Sequence, residues 1–208
     1  MFRRNTLKKN ARKSTRRPLT GGLESLEDRR VLTTFVDLLD PTPDGGGCGS
    51  FANPCGTIGG GIMHAPAGGE VYVAGGLYNE TITIAKDIHL RGEAGAVTID
   101  GLVNGFDLTG GTTDVKLEDL TIIDSAIGVR AVGISSLELE DVTSTLNTTD
   151  GVTVLGAGSV TIDGGGFDTN GLNGITLDSI TGAVRMTDST ALFNGANGLD
   201  VNIADSVT

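Results

Sequence analysis

Gly105, Gly128, Gly151, Gly174 and Gly198 fall 23, 23, 23 and 24 residues apart, and each opens an apolar–x–apolar triplet. The triplets are Phe106-Asp-Leu108, Val129-Arg-Ala131, Val152-Thr-Val154, Ile175-Thr-Leu177 and Leu199-Asp-Val201. Nine or ten residues after each glycine a second triplet or its start follows: Val115-Lys-Leu117, Leu137-Glu-Leu139, Val160-Thr-Ile162, Val184-Arg-Met186 and Val207. A weaker third strand follows in the early repeats, as Leu120-Thr-Ile122 and Val142-Thr143. Period-2 triplets send alternate side chains to opposite faces. A single 23-residue unit cannot bury its own apolar face, so such units form a core only by stacking.

Three short strands per repeat, with Gly, Asn and Asp between them, make one coil of a solenoid whose equivalent strands pair in parallel about 4.8 Å apart. The expectation is an all-β chain, a right-handed parallel β-helix of about 23 residues per coil. Leucine-rich repeats have a similar period but require a Leu-x-x-Leu-x-Leu frame that is absent. Nine-residue calcium-binding coils require a repeated Gly-Gly-x-Gly-x-Asp unit, of which only pieces such as Asp163-Gly-Gly-Gly166 occur. Two polar columns keep the same period. Asn104, Ile127, Asp150, Asn173 and Asn197 directly precede the marker glycines, and Asp124, Asn147, Asn170 and Asn194 stand three residues earlier. Aligned Asn side chains can bond to the coils above and below, as in amide ladders. Outward positions pair as well: Asp107 lies one coil from Arg130, and Lys116 one coil from Glu138.

Composition agrees with many short strands and tight turns. The chain has 33 Gly, no Trp, two Tyr and six Phe in 208 residues. Its net charge of −11 is split: residues 1–30 carry ten Lys/Arg against three acids, while residues 31–208 carry five against 23. So acidic a body excludes nucleic acid as a partner. No apolar run reaches the length of a transmembrane helix.

The basic stretch 1–20 is not followed by the apolar run of a secretory signal, and by composition residues 1–34 form a disordered leader. The string Leu23-Glu-Ser-Leu-Glu-Asp-Arg-Arg-Val-Leu32 resembles the LEPR-XLL-like signature found after a basic leader in large surface and secreted proteins of planctomycete-type bacteria, with Val31 a departure from the usual Leu. That resemblance implies a sorting element and a secreted or cell-surface location. Cys48 and Cys55, with six residues between them in a segment with Gly and Pro, are two free thiols or, in an exported protein, a local disulfide. A zinc site is not expected, because His64 and His89 have no ligand spacing around the pair.

Residues 48–101 resemble the start of pectate-lyase-like secreted β-helix domains. The resemblance is carried by Asn53-Pro-Cys-Gly-Thr-Ile58, by Ala65-Pro-Ala-Gly-Gly-Glu-Val-Tyr-Val-Ala-Gly-Gly-Leu-Tyr-Asn-Glu80, and by Ile82-Thr-Ile84, Ile88-His-Leu-Arg-Gly92 and Val97-Thr-Ile-Asp-Gly101. It implies a short helix capping the solenoid, which Gly59, Gly60 and Gly61 would leave short or absent. The expected layout is therefore a cap region with the cysteine loop over 35–69 and the β-helix over 70–208. The β-helix stops at Val207-Thr208 inside a strand, as a fragment of a longer protein would.

Polysaccharide lyases and hydrolases share this fold with non-catalytic surface proteins, and fold alone does not choose between them. The Asn-Thr-Asp, Asp-Asp, Gly-His-Gly and Arg-Ile-Lys motifs of the hydrolases are absent, Asn147-Thr-Thr-Asp150 being the nearest piece. Asp107 and Arg130 are the weak catalytic candidates, as a carboxylate beside a lyase-type base. His64, in the cap, and His89, an outward and solvated residue, have no visible nucleophile. The expected function is a scaffold, adhesin or carbohydrate-contacting surface for extracellular polysaccharide or cell-surface components, with a polysaccharide lyase or glycoside hydrolase as the alternative. No cofactor is required, but Glu118-Asp119, Glu140-Asp141 and Asp163-Gly164 stack at equivalent positions and form a candidate calcium edge. The competing reading of that column is a solvated acidic surface screened by salt.

Overall fold

A computed structural model describes residues 33–39, 44–110 and 113–202. Of the leader expected over residues 1–34, residues 1–32 with the sorting signature lie outside these, as does Val207. The chain opens on strand β1 (Thr33–Val36), followed by the cysteine loop and helix α1 (Ile58–His64). The first coil comprises β2 (Gly69–Val73), β3 (Gly76–Tyr78) and β4 (Ile82–Ile84), and the second β5 (Ile88–Gly92), β6 (Val97–Asp100) and β7 (Asn104–Thr109). The third holds β8 (Asp114–Glu118), β9 (Thr121–Ile123) and β10 (Ile127–Val132), and the fourth β11 (Ser136–Glu140), β12 (Thr143–Thr145) and β13 (Val152–Leu155). Two coils of two strands follow: β14 (Ser159–Asp163) with β15 (Ile175–Asp178), then β16 (Val184–Thr187) with β17 (Leu199–Asn202).

The strands stack into three sheets, all parallel. The first runs β1-β2-β5-β8-β11-β14-β16, the second β3-β6-β9-β12, and the third β4-β7-β10-β13-β15-β17. The chain is a parallel β-solenoid of about six turns. The triplets pair as the glycine period requires: Phe106, Val129, Val152, Ile175 and Leu199 are mutual partners, as are Val115, Leu137, Val160 and Val184. Inward columns are aliphatic. Val71, Leu90, Leu117, Leu139 and Ile162 line the first sheet, and Ile84, Leu108, Ala131, Val154 and Leu177 the third, all fully buried. Each of the larger side chains contributes about 1.5–3 kcal/mol of burial.

The third strands begin one residue later than expected, at Thr121 and Thr143, because the residues between sheets turn sharply. Asp119 and Asp141 take left-handed φ of 57° and 50°, which swings Leu120 and Val142 into the core. The second sheet ends at β12, and in the next coil Gly164 and Gly165, with φ of 75° and 89°, form a turn instead. The inward column of that sheet changes with it, from Tyr78, Ile99 and Ile122 to Ser144.

The marker glycines are required by close approach between coils. A Cβ on Gly105 would stand 2.6 Å from the carbonyl oxygen of Gly128, and Gly128 meets Gly151, Gly151 meets Gly174 and Gly174 meets Gly198 at the same distance. The carbonyl of each glycine accepts the N–H of the residue after the glycine one coil earlier, as in Val129 N to Gly151 O at 3.0 Å and Val152 N to Gly174 O at 3.0 Å. Glycine here lets one backbone sit directly on the next.

The cap holds a real if short helix. Thr57 caps its N-terminus, accepting from Gly60 N at 2.9 Å, and the Glu80 carboxylate accepts from Ile58 N at 2.8 Å and Gly59 N at 3.0 Å. Such anchors, with an anion at the positive end of the helix, offset the propensity cost of three glycines. The glycines are also what the packing demands: a Cβ on Gly61 would enter Val36, and one on Gly60 would stand 2.5 Å from the Asp44 carboxyl carbon. Strand β1 begins at Thr33, two residues inside the segment read as leader. Its Thr34 and Val36 are buried, and Thr33 Oγ1 donates to Glu70 at 2.8 Å.

Candidate functional site

The outward face of the first sheet gathers most of the charged and aromatic side chains with specific partners. Parallel pairing there places Phe35 beside Tyr72, Tyr72 beside Arg91, Arg91 beside Glu118 and Glu118 beside Glu140. The neighbouring column runs Glu70, His89, Lys116 and Glu138. Lys116 is the hub: Nζ lies 3.2 Å from Glu138 and 3.5 Å from Glu118, and it donates to Glu140. Partial burial pulls its pKa down, but the bonds to Glu140 and Glu138 and the surrounding carboxylates outweigh this and hold it above the usual lysine range. Glu118 is pushed up by burial, yet its bonds to His89 and Lys116 prevail and leave it below the ordinary glutamate value. His89 Nε2 is 2.7 Å from Glu118, so the half-buried His89 is a hydrogen-bond partner of that carboxylate rather than the solvated residue expected.

At the cap end the face turns aromatic. The Arg91 guanidinium carbon lies 5.4 Å from the Tyr72 ring centroid, and its Nε stands 3.1 Å from Glu70, an ion pair without hydrogen-bond alignment. Phe35 packs 6.0 Å from Tyr72 and edge-on to Phe51 at 5.4 Å, and Phe51 is 83% exposed. Toward the middle of the sheet a groove of about 350 Å³ opens between Asp87, His89, Asp114, Lys116 and Glu138. Two of its carboxylates are already engaged: Asp87 accepts from Asp114 N at 3.0 Å, and Asp114 accepts from Ser136 Oγ at 2.6 Å.

The remaining sequence candidates fall elsewhere. Arg130 and Asp107 pair at 2.8 Å on the third sheet, so each satisfies the other on a different sheet from the Lys116 cluster. In the acidic edge, Glu118, Glu140 and Asp163 share one column, while Asp119, Asp141, Gly164 and Asp188 share the left-handed turn position. Glu140, Asp141, Asp163 and Asp188 line a depression of about 220 Å³. Burial, then the charges of Glu118, Asp141 and Glu140, raise the pKa of Asp119. Calcium could be held only by carboxylates that Lys116 does not already neutralise.

The inner polar column is a buried amide ladder. Asn147 and Asn170 are 2% and 3% exposed, so their amide bonds must be complete. Asn147 Nδ2 donates to Asn170 Oδ1 at 2.9 Å and to Ser144 Oγ at 3.0 Å, and Asn170 Nδ2 donates to Asn194 Oδ1 at 3.2 Å. Asp124 is not a member. Its coil is one residue shorter, so Ser125 N takes the place, donating to Asn147 Oδ1 at 3.1 Å, while Asp124 holds the left-handed turn position with φ of 53°. In the outer column Asp150 Oδ1 accepts from Asn173 N and Asn173 Oδ1 from Asn197 N, each at 3.0 Å, whereas Asn104 simply pairs with Ile127 in strand register.

Cys48 and Cys55 form a disulfide. A ring nitrogen of His64, at the C-terminal end of α1, and both sulfurs all lie within 4.8 Å of one another. The sequence spacing alone hid this approach, because it is the capping helix that returns His64 over the loop. Among the described residues no helix is long and apolar enough to cross a membrane. Fold and face together define a disulfide-bearing parallel β-solenoid with one charged and partly aromatic sheet surface. No protein-family model, curated protein or solved structure matches the chain.

Proposed function

We propose that the chain is a secreted or cell-surface β-helix module of the pectate-lyase-like kind, serving as a scaffold or adhesin whose working surface is the outward face of the first sheet, and that this face contacts carbohydrate. The observation that carries the reading is the aromatic patch of exposed Phe51 on half-buried Phe35 and Tyr72, at one end of a ladder of charged side chains. Sugars offer C–H faces to aromatic rings and hydroxyls to carboxylates and cationic groups, a division of labour that binding sites commonly use. The middle of the ladder carries more carboxylates than cations, which favours a neutral or amino-sugar polymer over a polyuronate. By the resemblance of its leader, the protein reaches the surface through residues 1–32, so deleting them leaves folding intact and retains the protein in the cell.

The test is isothermal titration against soluble neutral, amino-sugar and polyuronate oligosaccharides. We expect binding to a neutral or amino sugar, weakened about tenfold or more by Phe51→Ala or Tyr72→Ala. Binding that ignores both substitutions, or that favours a polyuronate, would sink the reading. The alternative, a polysaccharide lyase or hydrolase, draws support from the carboxylates around the 350 Å³ groove. It requires release of unsaturated uronides or new reducing ends, abolished by Glu138→Gln.

A further inference from the structure

We propose that Cys48, Cys55 and His64 are a metal site in waiting, which takes a zinc-like divalent ion when the disulfide is reduced. The cap of the solenoid would then be locked either by a sulfur–sulfur bond or by a thiolate–imidazole metal centre. Two thiolates and one imidazole are a ligand set that zinc accepts, with water completing the tetrahedron. All three ligand atoms already lie within 4.8 Å of one another, Cys55 is fully buried and Cys48 is 9% exposed.

The surroundings hold these residues in place independently of the S–S bond. Cys55 N donates to Phe35 O at 2.9 Å, Asp37 N to Cys55 O at 2.8 Å, Phe35 N to Gly49 O at 3.0 Å and Gly49 N to Asn53 O at 2.8 Å. The loop is thus laced to β1 by backbone bonds at Cys55 itself and at Gly49, next to Cys48, and is closed on itself by the Gly49–Asn53 bond. His64 is carried by α1, whose N-terminus is anchored by Thr57, Glu80 and, through Thr57 and Gly56, by Asp44. His64 Nε2 is 3.4 Å from the Asp44 carbonyl oxygen. In the tautomer that carries its proton on Nε2, this contact would be the second-sphere arrangement common to metal-bound histidines. The sulfurs need separate only enough to admit the ion.

The chemistry balances. A dithiol or phosphine reductant supplies two electrons and the S–S bond breaks; the dithiol gives up its own two protons and leaves as its disulfide, or water gives both protons and its oxygen and the phosphine leaves as its oxide, with two thiols formed in either case. Metal binding then displaces both thiol protons, and the neutral imidazole adds without proton loss. A small-molecule disulfide serves as the two-electron oxidant for the return step: it takes up two electrons and leaves as two thiolates, while the S–S bond re-forms between Cys48 and Cys55 and the ion is released. A chain that folds before it meets an oxidising compartment would pass through the reduced form.

The experiment is cobalt(II) titration of the full chain, oxidised or anaerobically reduced, followed by optical absorption and circular dichroism. We expect a thiolate-to-cobalt charge-transfer band saturating at one ion per reduced chain, displaced by zinc and absent from oxidised protein. His64→Ala should weaken binding about tenfold or more, and the Cys48→Ser/Cys55→Ser variant should show no band. Zinc should raise the melting midpoint of reduced wild type and leave the double serine variant unmoved. A reduced chain without the band, a His64→Ala titration identical to wild type, or loss of β-sheet dichroism on reduction would each overturn the proposal.

Discussion

Single side chains decide most where the interior is polar. Asn147 and Asn170 serve coils on both sides, so removing one leaves several buried groups unpaired. Asn147→Ala orphans Ser125 N and removes a donor from Asn170 Oδ1, with a cost of about 1–3 kcal/mol for each unsatisfied buried group. Urea unfolding should show that loss, while exposed Asn202→Ala serves as a control that moves the midpoint little. Glu118 supplies a pH-dependent counterpart. Its folded pKa is lowered, so its contribution is present above the unfolded value of about 4.3 and is lost as pH falls through the folded one. Lys116, raised, contributes below its unfolded value of about 10.4 and fades only as pH climbs beyond that. Asp119, raised, works against stability above about 3.9 and recovers in acid. The stability gap between wild type and Glu118→Gln should therefore shrink as pH falls below about 4.3, and a gap constant with pH would contradict the ion-pair account.

At the level of strands and turns, the spine of glycines sets how closely coils stack. Gly151→Ala would press a methyl against the carbonyl of Gly174 and the amide of Asn170. Because backbone cannot yield as a side-chain end can, the expected cost is about 1–3 kcal/mol or more, against little for Gly46→Ala, where nothing lies nearby and the backbone is not left-handed. Denaturant midpoints of the two variants should separate accordingly. These elements were legible in the sequence to the extent that their spacing is regular. From Val115 onward successive partners on the first sheet lie 22, 23 and 24 residues apart, and triplets, columns and the Asp107–Arg130 and Lys116–Glu138 neighbours all follow from the period. Earlier coils break it: Val71 meets Leu90 after 19 residues and Leu90 meets Leu117 after 27. The contacts of His89 and Arg91 with Glu118 were hidden for that reason. Ser125 was missed because a coil shortened by one residue hands the ladder to a hydroxyl residue, and His64 because a helix carries it back to the cysteines.

For the molecule as a whole, charge and stacking matter more than any one site. The acidic edge is partly compensated from within by Lys116 and, at Asp119, by Arg91. Left-handed turns also explain why Asp recurs there without invoking an ion, since Asp tolerates that backbone better than most residues. We expect calcium and sodium at equal ionic strength to give the same melting midpoint; a calcium-specific rise removed by Glu140→Gln with Asp141→Asn would instead establish a bound ion. One property of the architecture reaches further. Among the described residues the strands pair only with equivalents in neighbouring coils, so their ladder hydrogen bonds run from coil to coil, and β1 and β17 stand at opposite ends of the stack. Tension between those ends would load the bonds of one coil at a time, so the protein would unzip in steps, each releasing about 23 residues or roughly 75–80 Å of extended chain. Force applied across the axis would instead shear many bonds together. Such a module would be a tough strap in one direction and an extensible, re-stacking tether in the other.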